Sequence, residues 1–75
     1  NGADEVDIVL NVGRMLTGEY DEAANEVEVI RTEMDDDVVL KVIIESGALK
    51  TPELIRKASL LSMLAGADFV KTSTW

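Results

Sequence analysis

The chain has 75 residues, enough for one small domain, and a chain of this size buries only about 60% of the surface that its unfolded form exposes. It contains no cysteine and no histidine, which excludes disulfides, Cys/His zinc sites and the usual near-neutral acid/base residue; proton transfer has to use carboxylates, lysines, hydroxyls or water. The formal charge of −8 and a pI near 4.2 oppose binding to nucleic acid phosphates and to anionic membrane surfaces. No apolar run approaches the roughly 20 residues that cross a bilayer, and a cytoplasmic setting is the expectation.

The first element is Val6 to Leu10, a β-branched apolar run interrupted by one acid, which reads as a strand. Asn11-Val12-Gly13 leads out of it. From Glu19 to Met34 the residues Tyr20, Ala23, Ala24, Val27, Ile30 and Met34 recur at helical spacing among acids, the pattern of an amphipathic surface helix. Asp35-Asp36-Asp37 then makes a charged turn. Val38 to Ile44 is the strongest strand signal in the chain and has Lys41 inside it.

Thr51-Pro52 marks a second helix start, because a threonine hydroxyl can accept an N-terminal amide hydrogen bond and proline tolerates the first helical position. This helix runs to about Ala65. Leu54, Ala58, Leu61 and Ala65 share one face, and Gly66 is placed to end the helix in a positive-φ conformation. Asp68 to Ser73 follows as a third strand. Two helices of about 15 residues between three strands predict an α/β fold, β-α-β-α-β, with a parallel sheet built by right-handed crossovers. Gly2-Ala3-Asp4 and Gly66-Ala67-Asp68, each just before a strand, form a weak internal echo that common loop chemistry also explains. The first residues lead into a strand without an initiator methionine and the last stop just after one, so the expectation is a chain that begins and ends inside a larger domain.

Side chains alternate faces along a strand, which groups Asp7, Val9 and Asn11, then Val39, Lys41, Ile43 and Glu45, then Phe69, Lys71 and Ser73. Asp7, Lys41 and Lys71 are thus expected on the face away from the crossover helices. A desolvated lysine, or one beside another cation, is more readily a neutral amine that attacks a carbonyl, so Lys71 is the candidate nucleophile, Lys41 the second cation and Asp7 an acid that pairs or moves protons. The alternative leaves the lysines at strand ends with their ammonium groups in water and Asp7 as a counter-charge. Asp4-Glu5-Val6-Asp7 and Asp35-Asp36-Asp37 lack the register of a calcium loop and read as solvated turn acids. Gly13 and Gly18 make no phosphate-binding motif, and Phe69 and Trp75 make no stacking platform for bases.

The segments G-A-D-E-V-D-I-V-L-N, L-K-V-I-I-E-S-G-x-L and A-G-A-D-F-V-K-T-S-T, with I-R-K-A-S in the helix before the last strand, resemble the signature segments of the deoxyribose-phosphate aldolases in order and spacing. The resemblance covers nearly the whole chain. It implies that residues 1–75 are a single partial-barrel fragment of a (β/α)8 barrel and that the reaction is reversible cleavage of 2-deoxy-D-ribose 5-phosphate to glyceraldehyde 3-phosphate and acetaldehyde, with no metal or organic cofactor. It further implies Lys71 as the Schiff-base lysine, Asp7 in a proton relay, and Lys41 and Thr74 near the substrate. Family members follow K-T-S-T with glycine where this chain has Trp75, and their second catalytic lysine and phosphate-binding loops lie on later strands not included in these 75 residues. The expectation is therefore weak or absent turnover by the chain alone. The alternative is a noncatalytic barrel fragment that associates with itself, most simply as a homodimer, through open strand edges and an uncovered inner face.

Overall fold

The computed structural model describes residues 4–73, with the backbone alone at Ser73. Three strands, β1 (Glu5–Val9), β2 (Val39–Glu45) and β3 (Phe69–Ser73), form one parallel sheet in the order β1-β2-β3. Four helices connect them: α1 (Val12–Leu16), α2 (Tyr20–Thr32), α3 (Ser46–Leu49) and α4 (Pro52–Leu64). The α/β class, the parallel sheet and the two long helices match the reading of the sequence. The number of helices does not, since α1 and α3 are single short turns with too few residues to develop an apolar period. None of the described helices is long and apolar enough to cross a membrane.

The core lies on one side of the sheet. Along β2, Leu40, Val42 and Ile44 are fully buried while Val39, Lys41, Ile43 and Glu45 are only partly covered, the alternation of a sheet packed on a single face. Ala23 and Val27 of α2 and Ala58 and Ser62 of α4 come down on these strand residues, and Met15 of α1 and Leu49 of α3 close the core at the end where β1 and β2 finish. Small residues let α4 lie close to the sheet, and the buried Ser62 hydroxyl donates to the Ala58 carbonyl one turn back at 2.9 Å, so no polar atom is stranded there. α4 starts as expected: the Thr51 hydroxyl accepts from the Leu54 amide at 3.2 Å and Pro52 occupies the first turn.

The lower end of the sheet, where β2 and β3 begin, is tied by a charge network. Asp68 Oδ2 accepts the Leu40 amide at 2.8 Å and Arg31 Nη1 at 3.1 Å, while Arg31 also donates to the carbonyls of Val38 at 2.8 Å and Asp36 at 3.3 Å. The Arg31 stem crosses Gly66, whose φ of +116° and lack of a side chain are both required, because a Cβ there would lie 2.8 Å from Arg31 Cγ. The echo between Asp4 and Asp68 is confined to backbone pairing. The Asp4 carbonyl accepts the Val39 amide at 2.8 Å and the Asp68 amide donates to the Leu40 carbonyl at 2.8 Å, but only the Asp68 side chain joins the network.

Candidate functional site

The face of the sheet away from the helices carries the ionisable strand residues. The register makes continuous rows across it: Asp7, Lys41 and Phe69 in one, and Val9, Ile43 and Lys71 in the next. Glu5 stands one row below Asp7, opposite Val39, and Glu45 one row above Ile43, opposite Ser73. The grouping of Asp7, Lys41 and Lys71 on one face follows from strand alternation and is present here. Thr74, the fourth residue expected near a substrate, lies outside the described residues, as does Trp75.

Strand spacing of about 4.8 Å and a rise of about 3.3 Å per residue put the Lys71 Cα about 8 Å from that of Lys41 and about 12 Å from that of Asp7. A lysine side chain reaches its diagonal neighbour's territory, whereas Asp7 and Lys71 need a substrate or a water between them to exchange a proton. Asp7 and Lys71 are exposed and Lys41 is half-buried. The described residues enclose no cavity, so the face is an open platform rather than a cleft. Val9 and Phe69, more than half exposed, surround the charges with apolar surface.

The ion pair on this face joins Lys41 to Glu5, Nζ to Oε2 at 3.3 Å, and not to Asp7, its direct neighbour in the register. Among the described residues, the side chains of Asp7, Glu45 and Lys71 make no hydrogen bond or ion pair. The pairing of Glu5 was not foreseen from the sequence, although the period-two count that selects Asp7 also selects Glu5. A Lys41 ammonium, an unpaired carboxylate and an unpaired lysine amine on one surface can hold an anionic substrate group, accept a proton and add to a carbonyl.

Asn11 departs from the expected grouping with Asp7 and Val9. It follows the end of β1 and caps α1, its Oδ1 accepting the Arg14 amide at 3.2 Å and its Nδ2 donating to Glu26 on α2 at 3.2 Å. This turns it toward the helical layer. Arg14 donates to the same Glu26 carboxylate at 2.8 Å and pairs with Glu19, and hydrogen bonding to Glu26 holds its guanidinium above its ordinary pKa. Asparagine is a favoured N-cap residue, but the helix it caps is too short to show in the sequence.

All 75 residues match the family model for the DeoC/LacD family of aldolases. Among curated proteins, the chain is 50% identical over 74 residues to a deoxyribose-phosphate aldolase of Staphylococcus carnosus and 50% identical over 74 residues to one of Streptococcus uberis, in each case covering 99% of this chain and 33% of the relative. It is 47% identical over 73 residues to a deoxyribose-phosphate aldolase of Kocuria rhizophila, covering 97% of this chain and 33% of that protein. The chain thus spans about a third of the length of the curated relatives it matches.

Proposed function

The chain belongs to the DeoC/LacD family of aldolases, and from that premise we propose that it supplies the Schiff-base lysine, Lys71, for reversible cleavage of 2-deoxy-D-ribose 5-phosphate. One observation carries the reading: Lys71, Lys41 and Asp7 stand in adjacent rows on the same open face. The neutral Lys71 amine adds to the substrate aldehyde, loss of water gives an iminium, and the iminium accepts the electron pair of the breaking carbon–carbon bond. Asp7 moves protons, Lys41 and Thr74 contact the substrate, and no metal or organic cofactor takes part. In this reading the sheet is a β-α-β-α-β part of a (β/α)8 barrel, and the open face is its interior at the C-terminal side of the strands. The setting is the cytoplasm.

The test is release of glyceraldehyde 3-phosphate from 2-deoxyribose 5-phosphate by the chain and by its Lys71→Ala variant. Slow release that disappears in the variant is the expected result, and equal rates in both overturn the role of Lys71. A second reading, a noncatalytic module that associates with itself, is favoured by the exposure of Val9 and Phe69 on the open face and by the two outer strands β1 and β3, each paired on one side only. A symmetric dimer that covers the charged face is the form this second reading takes. Sedimentation of a folded monomer at every accessible concentration rules the dimer out.

A further inference from the structure

We propose that Glu5 is a positioning residue for Lys41, drawing its ammonium away from Asp7 so that the Asp7 carboxylate stays unpaired and able to accept a proton. The proposal rests on the reading of Lys71 and Asp7 given above. Register alone favours the opposite arrangement, since Lys41 is directly opposite Asp7, about 4.8 Å away between backbones, while Glu5 lies one row down. The pair nevertheless forms on the diagonal with Glu5 at 3.3 Å, with the Lys41 side chain 28% exposed and that of Glu5 51% exposed. Length explains the choice. The glutamate stem reaches along the open face to meet the lysine, whereas the shorter aspartate keeps its carboxylate close to β1.

The other charged groups on this face leave Lys41 no further choice. Glu45 is on the same strand, four residues along and therefore about 13 Å away, and Lys71 has the same sign as Lys41. If the Glu5 carboxylate is removed, Asp7 is the remaining acid within reach. A carboxylate paired with a lysine is a weaker base than an unpaired one, and the reaction needs a base. After Lys71 and an aldehyde have condensed with loss of water, a proton leaves the carbon next to the iminium carbon, and its electron pair forms the enamine. Asp7 takes that proton, directly or through water, and returns it on reversal, so the step balances with no other reagent.

Acetaldehyde in deuterated water separates the two steps in the 75-residue chain. Borohydride trapping at Lys71, mapped by mass spectrometry, reads iminium formation, and deuterium entry into the acetaldehyde methyl group reads proton removal, with Lys71→Ala as the blank. In Glu5→Gln the exchange per trapped iminium should fall about threefold or more, with trapping at Lys71 retained. A fall in exchange at constant trapping is a split that a merely structural role does not give. An unchanged ratio in Glu5→Gln overturns the proposal while leaving Lys71 trapping to support the underlying reading. No Lys71 adduct in the unaltered chain overturns both. Independently of the chemistry, thermal unfolding of Glu5→Gln, Asp7→Asn and Lys41→Met singly and in pairs should show coupling between Glu5 and Lys41 and none between Asp7 and Lys41; the reverse order also overturns it.

Discussion

Replacing Asp68 by alanine should be the most informative single change outside the core. Its Oδ2 receives the Leu40 amide at 2.8 Å, and Leu40 is fully buried, so the substitution leaves a backbone N–H at the head of the central strand without a partner. An orphaned buried donor costs about 1–3 kcal/mol. Arg31 retains its bonds to Val38 and Asp36 and loses an ion pair to a side chain that is 43% exposed, so that part is discounted to about 0–1 kcal/mol. The sum is about 1–4 kcal/mol, at about 4–8 °C in midpoint temperature per kcal/mol for a domain of this size. Asp68→Asn keeps a side-chain oxygen to accept the Leu40 amide and should cost about 1 kcal/mol. Urea unfolding followed by far-UV circular dichroism, with every variant at the same protein concentration, measures both. Asp68→Ala within about 0.5 kcal/mol of the unaltered chain, or Asp68→Asn as damaging as alanine, would refute this account of the network.

Gly66→Ala should destabilise by about 1–3 kcal/mol, because it combines a disfavoured positive φ with a Cβ driven into the Arg31 stem; combining it with Arg31→Ala should recover part of the loss in the same unfolding assay. Leu40→Ala removes a fully buried side chain from the middle strand and should cost about 2–5 kcal/mol, enough to leave so small a domain largely unfolded by circular dichroism. Phe69→Glu adds a charge to the open face where the ring is 58% exposed, and should lower self-association in sedimentation while leaving the helical signal intact.

The sheet was legible because strand alternation is strict: Leu40, Val42 and Ile44 read as one face and Lys41 as the other, and the structure buries the first set and leaves the second partly open. The faces of α2 and α4 were legible for the same kind of reason, with Ala23, Val27 and Ala58 at helical spacing. The short helices α1 and α3 were not, because one turn contributes a single buried side chain, Met15 or Leu49, and one residue has no period. The strand limits shifted by a residue at β1 and β2 and at the start of β3, because the ladder is fixed by backbone pairing, such as the Val39 amide to the Asp4 carbonyl, rather than by side-chain character.

The site divides along the same line. That Asp7, Lys41 and Lys71 share a face follows from counting residues within each strand, and the structure has them there. That Lys41 meets Glu5 instead of Asp7, and that Arg31 meets Asp68 across 37 residues, depends on register and side-chain reach between strands, which spacing along the chain does not encode.

The central claim is that Lys71 is the carbonyl-reactive amine of this face, and borohydride trapping with 2-deoxyribose 5-phosphate, read by intact mass and peptide mapping beside Lys71→Ala, tests it most directly. The account predicts one adduct, confined to Lys71 and absent from the variant. An adduct spread evenly over Lys41, Lys50, Lys57 and Lys71, or no adduct at all, would contradict it.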